Sequence, residues 1–120
     1  MRGVGAGMWG FVLLAAGCTA DLPQVTPHQR AFAALSATDW VMAEQLYGDI
    51  LRTAPDDPFA LYNLGVVYLR TQRSQLARPL FQRVIDLNPP DIVVQTTNGS
   101  GKGSTLVDLA RLNLRTIDAP

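Results

Sequence analysis

The chain is 120 residues long, which allows one small domain. Ten basic residues balance ten acidic ones, and nine scattered arginines with Lys102 as the only lysine draw no nucleic-acid footprint. One histidine, His28, and one cysteine, Cys18, cannot make a metal cluster, an internal disulfide or a nucleophile–histidine–acid set, so neither a cofactor nor catalysis is expected.

The opening stretch MRGVGAGMWGFVLLAAGC places Arg2 ahead of an uncharged run from Val4 to Ala16. That run is shorter than the roughly 20 residues that span a bilayer and suits the apolar core of a signal peptide. It closes on small residues directly before Cys18. LAAGC resembles a bacterial lipobox, with Ala15 in place of the usual leucine three positions before the cysteine and Leu14 one place earlier. The resemblance implies that residues 1–17 are removed as a lipoprotein signal peptide and that Cys18 is acylated, attaching the chain to a membrane through its lipid. Thr19 in the next position favours, by likeness to enterobacterial sorting, the outer membrane of the cell envelope, facing the periplasm. Acylation also disposes of an exported free thiol. Residues 18–23 then read as a lipidated tether, polar and without periodicity.

From there the chain punctuates itself as helices. Thr26-Pro27 and Asp57-Pro58 each set an N-cap oxygen before a proline at the first helical position. Asp39 and Ser74 are capping candidates for two further helices, and Pro55 and Pro89 fall just past helix ends. The pattern predicts helices over 27–36, 40–53, 58–71 and 75–87. Pro79 falls in the second turn of the last of these, where it removes one backbone hydrogen bond and should kink the helix.

The four helices repeat. At a lag of 34, Ala43 meets Ala77, Leu46 meets Leu80, Tyr47 meets Phe81, Ile50 meets Val84 and Pro55 meets Pro89. In the second unit Leu64-Gly65-x-x-Tyr68, Ala77-x-x-x-Phe81 and Pro89 resemble the elements of the tetratricopeptide repeat, with Leu61 in the place of its tryptophan. Leu61, Leu64 and Tyr68 make one buried stripe on the first helix of that unit. Gly65 and Ala77 are small so that the paired helices approach closely, and Phe81 fills the gap to the next unit. The first unit keeps Ala31, Ala43, Tyr47 and Pro55 but lacks the leucine and tyrosine elements, and its opening helix is about one turn shorter. The resemblance implies an all-α fold, a helical-hairpin array of two repeats over residues 24–91.

Two repeats leave an apolar face uncovered. Thr105-Leu106-Val107-Asp108 fits a capping box, and after it Val107, Ala110, Leu114 and Ile117 form a stripe opposite Asp108, Arg111 and Arg115. Residues 105–118 are therefore expected to form a capping helix. The segment between, residues 92–104, is a glycine-rich insertion whose NGSGKGSTL looks at first like a phosphate-binding loop. The Walker pattern requires glycine at 96 and a hydroxyl at 103, which are Thr96 and Gly103, and the dinucleotide pattern fails at Ser104. No nucleotide is expected, and Asn98-Gly99-Ser100 is a chance match to a glycosylation acceptor. Adjacent Asp56 and Asp57 read as a helix cap rather than an acid–base pair.

Members of the tetratricopeptide family are non-catalytic scaffolds holding peptides or partner domains, and the resemblance implies the same here. Periplasmic lipoproteins of this type serve pilus assembly, secretin insertion or outer-membrane protein assembly. In such arrays the first helix of each pair lines the concave face, which assigns a partner groove to His28, Gln29 and Phe32 in the first unit and Phe59, Tyr62, Asn63, Val66 and Arg70 in the second. The rivals are a purely structural envelope lipoprotein and a nucleotide-dependent enzyme acting through Gly99–Ser104.

Overall fold

A computed structural model describes residues 23–90 and 103–120. The expected leader, the expected acylation site at Cys18 and the glycine-rich stretch as far as Lys102 lie outside the described residues. Those described form five helices: α1 (Pro27–Ser36), α2 (Trp40–Thr53), α3 (Pro58–Arg70), α4 (Ser74–Leu87) and α5 (Leu106–Asp118). Each boundary has a local cause. Thr26 Oγ1 accepts from Gln29 N at 3.2 Å while Gln29 Oε1 accepts from Thr26 N at 2.8 Å, a reciprocal cap that starts α1. Asp39 accepts from Met42 N and Asp57 from Ala60 N, starting α2 and α3. Thr105 and Asp108 close the corresponding box on α5.

One expected cap is displaced. Ser74 is the first residue of α4, and Arg73 occupies the cap position without a side-chain cap bond. The preceding turn sets this: Gln72 is left-handed at φ 63°, and Arg73 N donates to Tyr68 O at 2.7 Å. The α1–α2 turn has the same form one repeat earlier, with Thr38 at φ 57°. α4 stays one helix through Pro79, which is exposed. α1 has ten residues against thirteen in α3, the shortening read from the proline spacing.

The core runs along the stack with α3 as its shared wall. On one side Ala60, Leu64 and Val67 of α3 meet Ala31 of α1 and Ala43, Tyr47 and Ile50 of α2. On the other, Leu61 meets Ala77, Phe81 and Val84 of α4 and Leu106 and Ala110 of α5. Leu51, Tyr68 and Leu80 touch both clusters, so the two are continuous. Gly65 makes the crossing possible, because a Cβ there would lie 2.8 Å from Phe81 Cε1. Ala77 and Phe81 are fully buried, and burial of a ring of that size stabilises by about 1.5–3 kcal/mol. α5 covers the second unit as expected of a capping helix, with Leu114 and Ile117 completing its apolar stripe; Leu106, outside the predicted stripe, is its most buried residue after Ala110.

Polar links tie successive units. Arg73 reaches back from the α3–α4 turn to Glu44 of α2 with bonds of 3.1 and 2.6 Å, its guanidinium 4.7 Å from the Tyr68 ring centroid. The hydrogen bond from Arg73 holds the Glu44 carboxyl below its usual value. Tyr68 is therefore half-buried under a cation rather than lost in the core. Arg83 bonds Asp56 at 2.8 and 3.0 Å, and Arg78 pairs with Asp118 at 2.5 Å, joining α4 to the end of α5. Asp56 and Asp57 thus have separate structural tasks, an ion pair and a cap. At the lag of 34, exposed Arg30 of α1 stands where α3 has buried Leu64.

Candidate functional site

The first helices of the units, α1 and α3, stand in succession with α5 as the third. His28 Nε2 of α1 lies 2.8 Å from Asp57 Oδ2, while Oδ1 of the same carboxylate caps α3, so one side chain both starts α3 and ties it to α1. Between α3 and α5 the link is Asn113 Nδ2 donating to the Tyr62 hydroxyl at 3.2 Å. Tyr62 also packs edgewise on Phe81, with ring centroids 5.6 Å apart and planes tilted by 59°. Burial raises the Tyr62 hydroxyl above its ordinary pKa, opposed by the Asn113 bond and the Arg70 charge. The phenol stays neutral, a donor with one lone pair already occupied.

The eight residues assigned to a groove are spread over more than one cleft. Tyr62 and Val66 are packed partly beneath α5, within the second core cluster. Together with Leu69 and Arg70 they line a cleft of about 500 Å³, whose far wall is Asn113 and Thr116. Gln72 lies at its edge. His28 lines a different cleft of about 400 Å³, bounded by Pro27 and Arg30 of α1, Leu46 and Ile50 of α2, and Asp57. Gln29 has its side chain engaged in the α1 cap. Phe32 is 48% exposed, and Phe59 and Asn63 are half-buried.

Leu69, Gln72, Asn113 and Thr116 line the cleft in addition to the residues the sequence points to. For Leu69 the signal was present, since it continues the helical spacing from Tyr62 and Val66 on the same side of α3. Asn113 and Thr116 depend on where α5 docks, which helical spacing alone does not give. The motif residues behave as packing: Leu61, Leu64, Gly65, Ala77 and Phe81 are buried, while Tyr68 and Pro89 are half-buried. Among the described residues no group of three or more histidine, cysteine or acidic side chains could hold a metal, and no helix is long and apolar enough to cross a membrane.

No curated protein and no solved structure matches the chain. Residues 58–91 match the family described as Tetratricopeptide repeat, a span that opens at the first residue of α3 and runs through α4 and Pro89. The α3–α4 hairpin, with Gly65 against Phe81 at its crossing, is the part of the chain that matches the tetratricopeptide repeat.

Proposed function

We propose that the chain is a lipid-anchored scaffold of the bacterial cell envelope that holds another protein on the face formed by α1, α3 and α5. The observation that carries the reading is the family match at residues 58–91, because the repeat is in general a protein–protein interaction module and its first helices supply the contact face. Phe32, at 48% exposure, and half-buried Asn63 supply apolar surface and an amide on that face. Anchoring is supported by LAAGC at Cys18 and by the short apolar run before it. The anchor places the array at the outer membrane facing the periplasm, where envelope, pilus or secretion assembly is the work such scaffolds do. No nucleotide enters this reading, since the glycine-rich loop departs from the phosphate-binding patterns at Thr96, Gly103 and Ser104.

A photoreactive residue placed at Phe32 or at Asn63 in intact cells tests the contact face. Crosslinks to a common partner are expected from both positions and not from Gln82, an exposed residue of α4. Equal capture from Gln82 removes the assignment. Mass spectrometry of the membrane fraction tests the anchor, with an acylated Cys18 as the first residue expected and an unmodified cysteine in a soluble product refuting it.

A further inference from the structure

α1 lacks the first turn that α3 has. At the lag of 34, Pro58, Phe59 and Ala60 of α3 correspond to Gln24, Val25 and Thr26, which precede α1 and are exposed, whereas Ala60 is fully buried. A cleft of about 400 Å³ opens there, between the start of α1 and the second half of α2. Pro27, Leu46, Ile50 and Ala54 give it an apolar lining. Most of the polar groups around it are already occupied. His28 bonds Asp57, Asp49 pairs with Arg52, and the Thr53 hydroxyl donates to Ile50 O at 3.0 Å. Arg30 lines the same cleft, and among the described residues no carboxylate pairs with it. None of Pro23 to Thr26 lines the cleft, and Val25 is 54% exposed.

We propose that Asp21-Leu22, immediately ahead of the described chain, docks in this cleft, with the Leu22 side chain against Leu46, Ile50 and Ala54 and the Asp21 carboxylate on Arg30. Reach comes first. The run from Leu22 to Pro27 extends at most about 17 Å, so the leucine samples only the surroundings of the first turn of α1. Composition comes second. Between Cys18 and Pro27 the large apolar side chains are Leu22 and Val25, and Val25 stands in solvent. Asp21 is the one acid in that stretch and adjoins the leucine. A segment joined to its seat by so short a run competes at an effective concentration in the millimolar range, ahead of a free partner. Covering the leucine supplies the affinity, and the exposed ion pair sets the direction in which the segment lies. The consequence rests on the anchor reading and deepens it. Docking shortens the leash between lipid and array from Cys18–Pro27 to Cys18–Leu22, at most about 14 Å of extended chain in place of about 31 Å. The edge that carries the start of α1 and, through His28 and Asp57, the start of α3 is then held against the lipid surface.

Nuclear Overhauser contacts in the methyl-labelled full chain in detergent test the seat. Contacts from the Leu22 methyls to those of Leu46 and Ile50 are expected within one molecule. Leu22→Ser is expected to abolish them and to lower Tm by about 4 °C. It alters no residue of the five helices, so the array still folds. Ala54→Leu, at the exposed C-cap of α2, is expected to fill the cleft and displace Leu22. Asp21→Arg and Arg30→Asp are each expected to weaken docking about two- to fivefold, and together to restore it. Absence of any Leu22 contact overturns the inference. So does contact seen only between differently labelled copies, or contact of Leu46 and Ile50 with detergent methylenes in place of Leu22. Leu22 contacts unchanged by either charge reversal overturn the Asp21–Arg30 pairing. An unmodified Cys18 with the Leu22 contacts intact removes the anchor and leaves the docking, and an acylated Cys18 without those contacts does the reverse.

Discussion

Tyr47→Phe should stabilise the protein. Tyr47 is 1% exposed, and its hydroxyl oxygen has no hydrogen-bond partner among the described residues. The equivalent position one repeat later is Phe81, which is fully buried and needs no partner. A buried hydroxyl left unpaired costs about 1–3 kcal/mol, because its bonds to water in the unfolded chain are not replaced. Deleting the oxygen leaves a void, which at about 24 cal/mol per Å³ subtracts a few tenths of a kcal/mol. The net expectation is a gain of about 1 kcal/mol, raising Tm by about 4–8 °C for a domain of this size. Urea and thermal unfolding followed by far-ultraviolet circular dichroism read it directly. A second reading comes from alkaline pH. Burial pushes the Tyr47 hydroxyl up to about 12, whereas the unfolded chain releases that proton near 10. Between those values the unfolded state holds fewer protons, so wild-type stability falls as pH rises, and Tyr47→Phe flattens that fall. A variant less stable than wild type by 1 kcal/mol, with an unchanged alkaline slope, refutes the reasoning and means that the hydroxyl is satisfied after all.

Gly65→Leu should destabilise by about 1–3 kcal/mol through overpacking against the Phe81 ring, and adding Phe81→Ala should recover part of that loss in a double-mutant cycle of urea melts. Thr38→Asn should raise stability by about 0.5–1 kcal/mol, because a β-branched residue is held at φ 57° where asparagine is better tolerated; an unchanged or lower Tm argues against strain in that turn. The Arg73 bond that depresses the Glu44 carboxyl contributes stability above pH 4.5 that is lost as pH falls through the lower folded value. Glu44→Gln should therefore lower stability at pH 7 while making the acid limb shallower, measured as Tm against pH from 7 to 3.

Much of the array could be read from the sequence because its helix ends are marked chemically. Thr26-Pro27 and Asp57-Pro58 each combine a cap oxygen with a proline that needs no amide bond, and α1 and α3 start there. The lag of 34 located the paired positions Ala43–Ala77 and Tyr47–Phe81, all of which are buried. Gln29 is expected at the groove from its position on α1, yet Thr-x-x-Gln is itself a capping pattern, and the Gln29 side chain closes the α1 cap. The burial of Tyr62 and Val66 could not be read, since it depends on a helix joined through a long glycine-rich segment. Periodicity shows that α5 has an apolar stripe but not which way it docks. The same holds for Glu44 with Arg73, a pair 29 residues apart brought together by a left-handed Gln72.

Arg30 determines how this array can grow. In α3 the equivalent Leu64 turns back onto the preceding unit and is buried against it, the contact by which one repeat accepts another. α1 presents a guanidinium at that position. A helical hairpin stacking there would have to strip water from that charge, which is costly unless a carboxylate comes with it. Side-by-side joining of array ends is the usual hazard of an open-ended repeat. Here exposed Arg30 on α1 and the cover that α5 lays over α3 and α4 both disfavour a further hairpin stacking on the described units.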